Sequence, residues 1–121
     1  MLALNSLMIG SEDPKRLADF YGQVLQSKPG WEDSGYTGYQ AGSCYLMVGP
    51  HDKVRGQSTN PERVIFNFET TEVDAEFTRI KALPGATVVQ DPYSPGENSS
   101  MKLATLADPD GNYFQLATPM M

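Results

Sequence analysis

The polar side chains that are candidates for a binding site lie mostly in strand-like segments of the chain. Strand alternation places one set of residues on the side opposite the apolar stripes that would form a core. Such a set, with polar groups and one guanidinium among apolar neighbours, suits a small amphipathic ligand such as an anion or an aromatic acid. We predict ligand binding, and no catalytic role, for Ser6, Met8, Leu46, Arg63, Ile65, Asn67, Tyr113 and Gln115.

Histidine and cysteine, which often carry catalysis, occur once each. His51 is the right residue type for a general base at neutral pH, but it lies in a polar loop and no sequence neighbour orients it. Cys44 lacks an adjacent basic residue to activate its thiol, so we expect a structural role. A single cysteine also excludes an internal disulfide and a cysteine-rich zinc site, which favours a cytoplasmic location.

Length and charge restrict the class of partner. The 121 residues suit one domain, and no apolar run approaches the roughly 18 residues of a membrane helix. The net charge of −6 and the scattered basic residues argue against nucleic acid, which is bound through clustered Lys and Arg. No basic amphipathic helix indicates a membrane surface. We therefore expect a small-molecule ligand or a second copy of the chain.

The elements of the first half must position these residues. Residues 3–10 are predicted to form a strand, with Ser6 and Met8 on one of its faces. Asp13 is typical of a helix N-cap and Pro14 of a first helical residue, and an apolar stripe of helical period follows. Four glycines punctuate the segment between Trp31 and Pro50, which predicts an antiparallel meander.

The second half repeats this order after a polar loop at 50–62. Residues 63–69 are predicted to form a strand, residues 71–74 resemble a capping box, and a second amphipathic helix follows. Two further strands are predicted at 86–90 and 101–107, on either side of a loop at 91–100. We therefore divide the single domain 1–121 into a first module of about 1–50, the linker loop, and a second module of about 63–121.

A tight turn at 108–112 feeds the last strand, which alternates Tyr113, Gln115 and Ala117 with Phe114 and Leu116. This turn, the Phe20-Tyr21 pair late in the first helix and the double βαβββ order together resemble the vicinal oxygen chelate proteins. That superfamily includes glyoxalase I, the fosfomycin and bleomycin resistance proteins, and ring-cleaving dioxygenases. The resemblance covers essentially the whole chain. It implies an α+β fold, two βαβββ modules (a glyoxalase/bleomycin resistance-like fold) forming a curved mixed sheet around a cleft, and a homodimer.

The resemblance also implies where a divalent metal would bind, and this chain departs from the pattern there. Metal-binding members have His where this chain has Ser6, His near Arg63 or Ile65, and Glu where it has Gln115. Hydroxyl, guanidinium or alkyl, and amide groups make a poor divalent-metal site. We therefore predict no metal and no other cofactor.

Three hypotheses for the function remain open from the sequence. The first is a glyoxalase/bleomycin-resistance-like protein that binds a small, partly apolar molecule without a catalytic metal. The second is a divergent metal-dependent lyase, isomerase or dioxygenase with other ligands, such as Glu69, Glu97 or His51. The third is a dimeric structural or regulatory domain. Whether the protein is an enzyme is therefore undecided at this stage.

Overall fold

Each half of the chain folds as a strand, a helix and three further strands. The computed structural model describes residues 1–97 and 100–119. They fall into two compact units, Met1–Gly56 and Gln57–Met121, and each unit carries one four-stranded mixed sheet. The α+β class and the two βαβββ modules are therefore confirmed, with the strands divided between two sheets.

The first unit is built on a sheet of order β1-β4-β3-β2, in which only the β1–β4 pair is parallel. Helix α1 begins where the sequence predicts, because the Asp13 carboxylate accepts a hydrogen bond from Arg16 N at 3.3 Å and Pro14 lies in the first turn. The elements are β1 (Ser6–Ser11), α1 (Pro14–Leu25), β2 (Trp31–Asp33), β3 (Tyr36–Ala41) and β4 (Cys44–Pro50).

The second unit repeats this topology with the sheet order β5-β8-β7-β6, and again only the first pair is parallel. Two register shifts interrupt the pairing of its edge strand with the neighbouring strand. The elements are β5 (Phe66–Glu69), α2 (Val73–Lys81), β6 (Thr87–Tyr93), β7 (Leu103–Ala107) and β8 (Tyr113–Ala117).

Each helix covers one face of its own sheet with an apolar stripe. Helix α1 packs against β1, β3 and β4, and α2 packs against β6, β7 and β8. No helix in the described ranges is long and apolar enough to span a membrane. The core residues contributed by the helices are Leu17, Ala18, Phe20, Tyr21, Val24, Val73, Phe77 and Ile80.

Two predicted strands begin later than their alternation indicates. The first starts at Ser6, where pairing with β4 begins, and not at Ala3. The strand predicted at 63–69 starts at Phe66, because Pro61–Arg63 form a short 3-10 helix in which Arg63 N donates to Asn60 O at 3.2 Å. The prediction that Arg63 and Ile65 lie on this strand is therefore wrong.

The start of α2 and the loop before β7 also differ from expectation. Glu72 is the N-cap and its side chain makes no capping hydrogen bond, so the predicted capping box at 71–74 does not form. Instead, Thr70 Oγ1 accepts from Glu72 N at 3.0 Å. In the loop predicted at 91–100, residues 91–93 belong to β6, and Asn98 and Ser99 lie outside the described residues.

Candidate functional site

Side-chain hydrogen bonding identifies which face of the first sheet lies under α1. The Tyr39 hydroxyl donates to Ala18 O of the helix at 2.9 Å, and Tyr39 is the register partner of Leu46, which in turn pairs with Leu7. Register partners point to the same side of a sheet. Leu46 therefore faces the helix, where it is 3% exposed, and its predicted position on the opposite face is wrong. Strand β4 is apolar on both faces, so alternation alone could not orient it.

We call the side of each sheet that faces away from its helix the distal face. On the first sheet it carries two predicted residues, Ser6 and Met8, whose register partners are Tyr45 and Met47. Met8 is 45% exposed and Trp31, two strands beyond Met47, is 43% exposed. This face is mainly apolar and aromatic, a composition that suits the binding of an apolar group.

Glycine makes room for the rings on this face. A Cβ at Gly38 would lie 2.8 Å from Tyr45 Cε2 and 3.3 Å from Trp31 Cε3, so both rings lie close against the glycine. Tyr45 and Met47 were missing from the predicted site because Leu46 was assigned to their face. Tyr45 directly precedes the Leu46-Met47-Val48 run. Pairing it with Ser6 would have placed Tyr45 and Met47, and not Leu46, on this face.

The distal face of the second sheet carries a polar row that crosses all four strands. Asn67, Gln115, Thr105 and Gln90 are successive register partners on β5, β8, β7 and β6. Gln115 Nε2 donates to Thr105 Oγ1 at 3.1 Å, and Thr105 is only 6% exposed. Asn67 and Gln115 were predicted from the sequence, and the structure places them side by side.

Thr105 was missed because it lies within the apolar run of β7. The turn could have shown which residue of β7 pairs with Gln115, because paired residues of β7 and β8 are equidistant in sequence from Asp110. Counting outward from that residue matches Thr105 with Gln115. Tyr113, also predicted, lies on the same face in the next row, where it pairs with Ala107.

The turn between β7 and β8 sets the register of these two strands and therefore places Gln115 beside Thr105. Asp108 is buried, and its Oδ1 accepts from Asp110 N at 2.8 Å and from Asn112 N at 3.0 Å. Gly111 has φ +82°, a left-handed conformation that favours glycine. Gln57 closes the outer side of the turn by donating from Nε2 to Pro109 O at 2.8 Å.

Two of the remaining predicted residues precede β5, and the third faces a helix. Arg63 is exposed at the end of the 3-10 helix, and Ile65 is half-buried between that helix and β5. Leu46 belongs to the core of the first unit. Arg63, the one cation among the predicted binding residues, therefore does not belong to the strand on which it was predicted.

Residue types on these faces do not fit a divalent metal. Ser6 and Gln115 provide neutral oxygens, and within residues 1–97 and 100–119 no cluster of three His, Cys, Asp or Glu side chains lies close enough to bind an ion. Among the alternative ligands, Glu69 is exposed at the end of β5 and Glu97 is exposed after β6. His51 Nδ1 accepts from Lys53 N at 3.1 Å.

A separate groove of about 960 Å³ lies on the helix side of the first unit, between α1 and the β2–β3 hairpin. Its wall includes Lys15, Asp19, Glu32, Asp33 and Tyr39. Burial, and then the nearby carboxylates of Asp19 and Glu32, raise the pKa of Tyr39. None of the predicted binding residues lines this groove.

Known proteins share this fold along its full length. The chain is similar to a glyoxalase/bleomycin resistance protein/dioxygenase family enzyme from Burkholderia phytofirmans PsJN, at 20% identity and TM-score 0.76, over 97% of this chain and 98% of that one. It is also similar to a glyoxalase-related enzyme from Fulvimarina pelagi, at 20% identity and TM-score 0.77, over 98% and 89%. A fosfomycin resistance protein, FosX, from Listeria monocytogenes matches at 17% identity and TM-score 0.67, over 100% and 94%.

No curated protein matches the sequence. The sequence model of the glyoxalase-like domain, however, matches residues 6–117, which run from the first residue of β1 to the last residue of β8. The chain therefore belongs to the glyoxalase-like domain family.

Proposed function

We propose that this protein binds a small, partly apolar molecule on the distal faces of its sheets, without a catalytic metal. The observation that carries the proposal is the polar row of the second sheet. At its centre, the neutral amide of Gln115 is held by Thr105 at 3.1 Å, where the resemblance implies a carboxylate ligand in metal-binding members. Uncharged amides and hydroxyls orient a ligand by hydrogen bonds and contribute little to binding a cation.

Apolar surface on the first distal face supports the same proposal. Met8 and Trp31 remain about half exposed, and a side chain of this kind stabilises a complex when a ligand removes it from water. The similarity to proteins named for resistance to bleomycin and fosfomycin favours a small-molecule ligand.

Metal content provides the first test. Tag-free protein purified without chelator should contain no stoichiometric metal by elemental mass spectrometry. It should also bind none tightly when titrated with Ni²⁺, Zn²⁺, Mn²⁺ or Fe²⁺. Near-stoichiometric metal at a single site would contradict the proposal and favour the second hypothesis, a divergent lyase, isomerase or dioxygenase. Glu69 lies two residues beyond Asn67 on β5 and therefore shares its face, so loss of that metal in Glu69→Gln would identify this carboxylate as a ligand.

Ligand binding provides the second test, with benzyl alcohol as a soluble, partly apolar probe. Its titration should shift distal-face resonances in ¹H–¹⁵N and methionine-methyl NMR spectra in a saturable way. Gln115→Leu should weaken binding by roughly threefold to tenfold, the range expected for one hydrogen bond. Gln23→Leu, a matched change at an exposed position of α1, should leave the affinity unchanged. No saturable shift at either distal face would contradict the proposal.

We also propose that two copies associate. Edge strand β6 exposes Val88 by 41% and Val89 by 39%, and an exposed strand edge is a common site of association. Sedimentation should show a dimer that Val89→Lys weakens. A dimer that binds neither metal nor benzyl alcohol would favour the third hypothesis, a structural or regulatory domain. A cytoplasmic location and the lack of a nucleic-acid partner stay predictions from the sequence.

A further inference from the structure

The orientation of the Gln115 amide determines which hydrogen-bonding groups the second distal face presents. Because Gln115 Nε2 donates to Thr105 Oγ1, the Oε1 acceptor of the amide points away from β7. Thr105 accepts this bond, so its own hydroxyl proton remains to be donated elsewhere. In the described part of the chain, neither that proton nor the Asn67 side-chain amide is hydrogen-bonded to another protein group.

The hydrogen-bond acceptors and donors of this row therefore lie on neighbouring strands. Neighbouring strands lie about 4.8 Å apart, so groups on adjacent strands can reach the two ends of one small planar group. The Gln115 Oε1 can accept from a ligand N–H, and the Thr105 hydroxyl or the Asn67 amide can donate to a ligand carbonyl. The fourth residue of the row, Gln90, already forms a local hydrogen bond, in which its Nε2 donates to Asp91 O at 3.3 Å.

Charge on the same face disfavours an anionic ligand. Among the register-paired residues of the polar row and of the rows on either side, Glu69 is the only charged one. Arg63 precedes β5 by three positions, and Lys102 is paired with Asp74 Oδ2 at 2.7 Å. A carboxylate ligand would meet the Gln115 acceptor with no cation among these paired residues, and a buried charge that lacks a partner is costly.

We infer that the row Asn67–Gln115–Thr105 recognises an uncharged amide-like group, a carboxamide, lactam or urea, and discriminates against the corresponding carboxylate. This inference rests on the proposed function and deepens it by naming the ligand class. It replaces the anion or aromatic acid expected from Arg63. Within it, Thr105 is a positioning residue, because its hydroxyl fixes the Gln115 amide as well as facing the ligand.

The experiment compares three probes of one shape: benzamide, benzoate and toluene. Titrations are followed by NMR through the side-chain amide resonances of Gln115 and Asn67. Benzamide should bind at least about tenfold more tightly than benzoate, because a site built to hydrogen-bond a group rejects an analogue that cannot complete the pairing. Toluene should bind more weakly than benzamide and should leave the Gln115 amide resonance in place.

Thr105 variants separate positioning from simple packing. Thr105→Val keeps the shape but removes the hydroxyl, and should weaken benzamide about threefold to tenfold with no change for toluene. Thr105→Ser should restore the benzamide affinity. In Gln115→Glu the preference should be reversed, so that the cation benzamidinium binds more tightly than benzamide. Unchanged ¹H–¹⁵N backbone spectra serve as the folding control for each variant.

The outcomes distinguish this inference from the proposed function. Benzoate binding as tightly as benzamide, or benzamide binding unaffected by Thr105→Val, would overturn the inference alone. Binding of toluene as tight as benzamide would do the same and would leave the proposed function standing. If benzamide, toluene and benzyl alcohol all fail to shift distal-face resonances, both the inference and the proposed function are wrong.

Discussion

The two units have one topology but different distal faces. On the helix-facing sides both sheets present buried apolar residues, such as Leu46 and Val48 in the first and Phe114 and Leu116 in the second. On the distal sides the first sheet presents methionine and aromatic rings, whereas the second presents amides and a hydroxyl in a single row.

This difference follows from what folding requires of each face. A helix can cover its sheet only if both contact surfaces are apolar, so the helix-facing residues have little freedom. The distal faces carry no such demand from the helix, and their side chains can differ between the units. We therefore locate recognition on the distal faces and stability on the helix-facing ones.

The largest expected effect is a difference in stability between substitutions on the two faces of strand β4. Leu46→Ala should lower the free energy of unfolding by about 2–5 kcal/mol, because it opens a cavity beneath α1. Met47→Ala, on the next residue and the opposite face, should cost about 1 kcal/mol or less. Chemical denaturation of both variants measures the two values, and a larger loss in Met47→Ala would contradict the face assignment.

Equivalent hairpin turns provide the next comparison. Gly111 and Gly42 both have positive φ, of +82° and +64°, but a Cβ at Gly111 would lie 2.7 Å from Gln57 Oε1 and a Cβ at Gly42 would meet nothing within 4 Å. Gly42→Ala should therefore cost about 1 kcal/mol from the backbone alone. Gly111→Ala should cost about 2 kcal/mol, since the Gln57 side chain must also move. Equal losses in thermal unfolding would show that Gln57 moves freely.

Alkaline pH should affect the contact between Tyr39 and helix α1 in the first unit. Burial and the carboxylates of Asp19 and Glu32 raise the pKa of Tyr39 above its ordinary value of 10.0. The folded state therefore retains this proton to higher pH than the unfolded state does. The stabilisation from Tyr39 is fully present below pH 10 and is lost as the pH rises through the folded pKa.

Tyr39→Phe should remove this pH dependence and should cost about 1 kcal/mol near neutral pH, where the hydroxyl donates to Ala18 O. Denaturation of the wild type and the variant between pH 8 and 11 measures the difference. Tyr113→Phe is the control, because within the described ranges the Tyr113 hydroxyl forms no hydrogen bond to another protein group. A gap between wild type and Tyr39→Phe that stays constant with pH would contradict the assignment.

The smallest effect compares one ion pair on each helix. Arg79 hydrogen-bonds Glu76 at 2.9 Å and thereby lowers the pKa of that carboxyl, so the contribution is present above the ordinary value of 4.5 and is lost as the pH falls. Glu76→Gln should cost about 0.5 kcal/mol at pH 7 and nothing in acid. Asp19→Asn, which breaks the more exposed Lys15 pair on α1, should cost less. The reverse order would show that exposure does not control these pairs.

Much of the fold was determined by local sequence. Asp13 and Pro14 mark a helix start whatever surrounds them, because a cap and a proline act within one turn. The turn at 108–112 forms for a similar local reason, through the Asp108 side chain and the left-handed Gly111. The repeat of strand, helix and three strands then followed from apolar periodicity. The family resemblance came from that repeat together with this turn and the Phe20-Tyr21 pair.

Tertiary structure alone decided which residues share a face. Strand β4 is apolar on both sides, so only its register with β1 and the Tyr39 bond to α1 show that Leu46 is covered and Met47 is not. Arg63 left the predicted strand because a 3-10 helix satisfies its backbone N–H. The turn at 108–112 sets the register that places Gln115 beside Thr105, but the alternation of either strand alone does not show that the two side chains are hydrogen-bonded.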